Sequence, residues 1–313
     1  MRVDFTAAQQ FLDYLDGRLP AETLLDHPAY RAVRAHAELC YGVRLGGAHL
    51  EAAVRGDDSP FFGLRRVAQN LPRVRALLDV IGRRSDAWIA EAGASLGVIA
   101  PGVEQSGVTV YPICGYDAGI GLREAVCLNV NWGVYLDRPE EFLYMMIHEA
   151  THVLYGRRNP MSALASVVAP AEWLSLFWRM TQDEGFAVYA PLALRRERGH
   201  MGDESHPILR DYQVLSSAGR LAWYLASYRE AARRLAGRGG GDGTADRDGR
   251  MALVFGPHRL TYRVGCELIR RIGEHGGGGG AAAVAEAFRM TGDEFMRAHG
   301  GLVGVDGFYL LTS

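Results

Sequence analysis

Residues 147–153 read Ile-His-Glu-Ala-Thr-His-Val, placing His148 and His152 four positions apart with Glu149 between them. An α-helix turns about 100° per residue, so the second imidazole lies about 40° around from the first, and the carboxylate about 100°. The three side chains therefore share one face. Two imidazoles so spaced can bind one zinc ion at about 2.0–2.1 Å each. The adjacent carboxylate can reach a water held by that metal, whose pKa falls toward about 7, and accept its proton. Met145, Met146, Ile147, Ala150, Val153 and Leu154 are uncharged, so the helix is expected to be buried around the two histidines. Burying two imidazoles and a carboxylate is costly unless they are paired or bind metal.

A zinc site of this kind needs a third protein ligand and one open position. Glu184 is the first candidate. It lies 32 positions after His152, in Gln182-Asp183-Glu184-Gly185-Phe186-Ala187, a carboxylate leading into an apolar stretch of helix. Glu172 is the rival, 20 positions after His152 and near an expected helix start, where an acid is unremarkable. Hydrolysis also needs a donor for the oxyanion, and Tyr262 and His258 are the candidates. Arg259 and Arg263 could hold a substrate carboxylate but are read as solvated arginines. Asp183 is expected to face away from Glu184, since adjacent helical residues diverge by about 100°. His27, His36, His49, His200, His206, His275 and His299 lack pairing at ligand spacing and are read as surface or capping residues. The arginines of 229–238 read as a solvated helix end, and 174–178 as core.

These residues also carry a resemblance. His148-Glu149-x-x-His152 followed by Glu184-Gly185-Phe186-Ala187-x-Tyr189 looks like the gluzincin metallopeptidases. The Glu-Gly-Phe-Ala piece is similar to the zinc-ligand helix of the aminopeptidase branch, although the interval from His152 is longer and no Gly-x-Met-Glu-Asn motif lies upstream. Glu172 matches the thermolysin-like spacing without that family's Asn-Glu-x-x-x-Asp context. The closer likeness is to uncharacterised bacterial zinc-dependent peptidases, through Tyr116-Asp117, Leu128-Asn129 and Tyr262-x-x-Gly265, and it spans residues 107–272. It implies a zincin fold in which a strand beside the HExxH helix can bind an extended peptide.

Elements must position these groups. Helices are expected over 6–15, 21–40 and 60–80, with Ser85 capping another that ends near Gly97. Residues 107–114 and 125–131 read as two short strands, a hairpin around turn chemistry at 115–121. Pro139-Glu-Glu suits a helix start, with the helix running to Tyr155 and stopping at Gly156. A long helix is expected over 170–194, bent or ended by Pro191, and more helix over 203–235. Residues 237–250 read as a flexible loop, 260–272 as helix, and the five glycines of 276–280 as a linker before helices at 281–290 and after Thr291. The expected fold is α+β, mostly α: a zincin-like core wrapped by N- and C-terminal helices. Its parts are 1–105, 106–194 and 195–313, within one integrated domain.

Composition agrees with a folded chain: 313 residues, 48% apolar, 22% charged and formal net charge −2. That balance argues against a nucleic-acid partner, which needs clustered cations to neutralise phosphates. The four scattered cysteines, without CxxC spacing, read as reduced thiols. No apolar run approaches a membrane span, and no charged n-region precedes an apolar h-region, so a cytoplasmic protein without a membrane partner is expected. The expected function is a zinc metallopeptidase acting on a peptide or protein. One zinc per chain would be held by His148, His152 and Glu184, with Glu149 as general base. The alternative is a non-catalytic zincin-like protein that binds zinc or peptide.

Overall fold

Val108, Val110, Ile113, Val126 and Leu128 supply the β-branched and apolar side chains that favour a pleated, covered surface. A computed structural model of the protein describes residues 1–57, 63–64, 66–237, 247–276 and 279–305. They divide into two compact units, Met1–Leu96 with Gly102–Ser166, and Gly97–Pro101 with Val167–Ser313.

The first unit runs β1 (Arg2–Val3), α1 (Thr6–Leu15), α2 (Ala21–Leu25), α3 (Pro28–Tyr41), α4 (Gly47–Arg55), α5 (Val67–Ile99), β2 (Thr109–Ile113), β3 (Gly119–Leu122), β4 (Ala125–Asn129), α6 (Gly133–Asp137) and α7 (Glu140–Arg158). The sheet order is β1-β2-β4-β3. β2 pairs in parallel with β1 and with β4, and β3 pairs antiparallel with β4. β2 and β4 are buried almost throughout, as strands with both faces covered must be. Pro112 is accommodated in β2 because β1 reaches only Thr109 and Val110.

Several expectations change here. The two strands read as a hairpin are parallel neighbours, and the hairpin is β3–β4. Its first strand occupies the segment read as a turn. The expected helix over 21–40 is two helices: His27 is extended and its Nδ1 accepts a hydrogen bond from the Ala29 N–H at 3.2 Å, ahead of Pro28 at the first helical position. Ser85 caps nothing. It lies inside α5, a single helix of 33 residues, and donates to the Gly82 carbonyl at 3.2 Å. Of the expected 60–80 helix, residues 60–62 and 65 lie outside the described residues. α7 passes through Gly156 and ends at Arg158, just before Asn159-Pro160, where the proline disfavours a helical residue before it.

The second unit is helical among its described residues: α8 (Pro170–Tyr189), α9 (Leu192–Glu197), α10 (Pro207–Leu215), α11 (Ala218–Leu235), α12 (Arg247–Phe255), α13 (Leu260–His275), α14 (Gly280–Arg289) and α15 (Gly292–His299). Pro191 ends α8, as expected. Of the expected 237–250 loop, residues 238–246 lie outside the described residues, and α12 already begins at Arg247. Residues 277–278 of the glycine run also lie outside them. α8 and α13 cross where Gly185 meets Gly265; a Cβ built on Gly185 would stand 2.6 Å from the Gly265 Cα. Val188, Leu192, Tyr212 and Cys266 form a buried apolar cluster beside this crossing, with Tyr262 packed on it. The described residues are mostly helical with one small mixed sheet, the α+β class expected.

Candidate metal centre

α7 is buried from Glu141 to Tyr155 with His152 alone half-exposed, so it has almost no polar face to offer water. His148 and His152 nevertheless point together. Their Nε2 atoms are 3.3 Å apart, and the rings stand nearly perpendicular, 80° at a centroid distance of 4.9 Å. Two zinc–nitrogen bonds of about 2.05 Å, opened to a tetrahedral angle, separate their donor atoms by about 3.3–3.4 Å. The pair thus has the spacing a tetrahedral ion requires.

β3 sets the height of α7. Gly119 and Gly121 lie on one face of the strand, two residues apart. A Cβ on Gly121 would fall 2.1 Å from the Glu149 carbonyl oxygen and 3.1 Å from the His152 Cβ. A Cβ on Gly119 would fall 2.9 Å from Glu149 Oε1. The glycines read as turn formers are there because a helix backbone passes over them. On the opposite face, Ile120 pairs with Cys127, whose thiol donates to the Ala29 carbonyl of α3. Burial, with the Glu149 charge adding, raises the Cys127 thiol far above its ordinary range.

Glu184 is held in the second unit. It lies in a wholly buried stretch of α8, with Asp183 buried beside it. The α8–α13 crossing brings the Tyr262 phenol, one turn before Gly265, into interaction with the Glu184 carboxylate. Burial and then the Glu184 charge hold the Tyr262 phenol well above its ordinary value, so it keeps its proton. The Arg259 guanidinium lies over the Tyr262 ring, 3.5 Å from Cζ to centroid. Arg259 Nε donates to Asp211 Oδ2 and Arg263 Nε to Asp211 Oδ1, each at 2.8 Å, and Arg263 also donates to the Tyr224 hydroxyl. The two arginines read as solvated are therefore ion-paired: Arg263 is buried and the Arg259 side chain is only 16% exposed. Asp211 had no sequence signal, being a lone acid 48 and 52 positions before its partners.

One ligand atom from each of His148, His152 and Glu184 lies within 4.8 Å of the other two, so these three could hold a metal ion. Glu172 is not among them. Its exposed carboxylate accepts from the Val168 and Ala169 N–H groups at 2.8 and 2.7 Å, capping its own helix, and these bonds hold it below the usual carboxylate range. His258 is exposed and packs edge-on against Trp223, 5.2 Å between centroids. His27 and His206 are helix caps. No protein-family model matches the chain, and comparison with curated proteins and with solved structures finds no match to it. No helix among the described residues is long and apolar enough to cross a membrane.

Proposed function

We propose that the protein is a zinc-dependent hydrolase of peptide bonds with a zincin-like core, akin to the gluzincin peptidases. The observation that carries this reading is the 3.3 Å Nε2–Nε2 separation of His148 and His152 within a three-residue group completed by Glu184. Two imidazoles and one carboxylate are a donor set that suits zinc, and three protein ligands leave a position open for substrate or water. A zinc ion there would polarise the scissile carbonyl and make water a stronger acid.

The chain's own residues do the rest. Glu149, buried beside the two histidines, takes the proton from the attacking water and delivers it to the leaving amine. Tyr262 retains its proton and is the donor offered to the developing oxyanion. His258, turned to Trp223 at the surface, is the lesser candidate. β3 is one of the two edge strands of the sheet and runs beneath Glu149, so its edge, unpaired among the described residues, suits an extended peptide added as a further strand.

Metal analysis of protein purified without chelator tests the reading, with one zinc per chain expected. Glu184→Ala loses the zinc, whereas Glu172→Ala keeps it. Glu149→Gln keeps the zinc and abolishes cleavage of a mixture of blocked peptides followed by mass spectrometry. Protein that refuses added zinc, or persistent cleavage by Glu149→Gln, overturns it.

A further inference from the structure

Near Glu184, two arginines of α13 and its N-terminus, Arg259 and Arg263, share one ion-pair partner. Asp211 presents a single carboxylate to two guanidinium groups. Arg263 meets Asp211 through Nε and Tyr224 through Nη1. Arg259 meets Asp211 through Nε and its plane covers Tyr262, but its buried Nη2 has no hydrogen-bond partner among the described residues. Its backbone sits at φ +48°, a left-handed conformation that a β-substituted residue seldom adopts unless its surroundings impose it. Glu184 is a further negative charge acting on Arg259 while it is not committed to a cation.

We propose that Arg259 is a carboxylate-binding residue, its free Nη2 edge receiving the C-terminal carboxylate of a peptide, so that the protein removes residues from the C-terminal end. The inference rests on the metal reading above, because zinc on Glu184 would engage an acid that otherwise adds to Asp211 in attracting the Arg259 charge. The guanidinium covers the Tyr262 ring and both Arg259 and Tyr262 feel the Glu184 charge, which places the bound carboxylate near the metal ligand.

The test uses zinc-loaded Glu149→Gln protein, which binds without cleaving, titrated calorimetrically with N-acetyl-trialanine and with its C-terminal amide. The acid is expected to bind at least tenfold more tightly. Adding Arg259→Gln removes that preference with zinc still at one per chain, and Arg259→Lys, a cation that can fold in the same place, retains part of it. Equal affinity for acid and amide, undetectable binding of the acid, or a preference that survives Arg259→Gln overturns the inference. Loss of zinc from both Arg259 variants also overturns it, by making Arg259 a positioning residue for Glu184. A parent protein without zinc overturns the metal reading as well, whereas zinc without discrimination overturns this inference alone.

Discussion

α7 and α8 carry the candidate ligands, and both are set by glycines, but in different ways. Beneath α7 the glycines belong to the strand: Gly119 and Gly121 open one face of β3 while Ile120 fills the other. Where α8 crosses α13, each helix contributes one glycine, and Gly185 and Gly265 touch backbone to backbone. The difference fixes what each region can hold. The histidine pair is arranged within one helix by its spacing of four, and β3 only has to let that helix come close. Glu184 is reached by Tyr262 from a different helix. Its orientation depends on Tyr262, and Tyr262 on Arg259 and Asp211, so that half of the site is a tertiary construction.

The largest effects should come from closing either approach. Gly121→Ala puts a methyl 2.1 Å from the Glu149 carbonyl oxygen, and Gly265→Ala puts one 2.0 Å from the Thr181 carbonyl oxygen. Neither backbone can step aside as a side chain would, so each should cost about 3 kcal/mol or more. For a chain of 313 residues, at about 2.1 cal/mol/K of unfolding entropy per residue, that lowers Tm by roughly 5 °C, readable by calorimetry. An alanine tolerated at either position would show that the glycine is not what sets the helix spacing.

Next in size is Tyr262→Phe, which keeps the ring under Arg259 and removes the hydroxyl from Glu184. Loss of a partner that orients a metal ligand typically weakens binding 10–100-fold. The comparison predicts that this substitution in the second unit lowers zinc affinity by that factor in a chelator competition, because Glu184 relies on it. Unchanged affinity would make Glu184 as self-sufficient as the histidine pair. Gly119→Ala is milder. Its methyl would press on Glu149 Oε1 and Leu128 Cδ2 at 2.9 Å, the ends of side chains that can rotate. Stability should fall by about 1 kcal/mol or less, and peptide cleavage should drop with zinc content unchanged, because only the base is displaced.

The same contrast explains what could be read from the chain beforehand. His148, Glu149 and His152 were visible because their geometry is local, and the mostly helical α+β class followed from periodicity and from the β-branched runs at 107–131. Gly119-Ile120-Gly121 was misread as a turn because glycine signals a turn and a close backbone approach with the same residue type. Only the passage of α7 above it distinguishes the two. β1 has two residues and gains its strand character from parallel pairing with a segment more than a hundred positions away, which no local pattern encodes. Arg259 and Arg263 resembled surface arginines because their acid lies in another helix. Ser85 resembled a cap because serine competes for backbone partners in either setting, and only the continuity of α5 places it mid-helix.

The smallest effect concerns a feature the two units share. α3 and α10 are each capped by a histidine: His27 Nδ1 accepts from the Ala29 N–H at 3.2 Å, and His206 Nδ1 from the Ile208 N–H at 3.3 Å. Accepting requires the neutral ring. Burial lowers both imidazoles below their ordinary value, against the opposing pull of Asp4 on His27 and of Asp211 on His206. With the folded pKa depressed, the unfolded chain binds protons first. Each cap's contribution is then complete above the unfolded value of about 6.5 and is lost as pH falls through the folded one. A lost cap costs about 1 kcal/mol. Calorimetry at pH 7.5 and pH 5, with chelator present so that metal release does not contribute, should show a smaller fall in Tm for His27→Asn and for His206→Asn than for the parent. Asparagine caps without titrating. The His27 substitution should also break the 2.9 Å contact to Thr6 Oγ1 and so lower Tm at pH 7.5, which His206→Asn should not. A parent-like pH slope in the double variant would move the acid sensitivity away from these caps, leaving the remaining histidines to account for it.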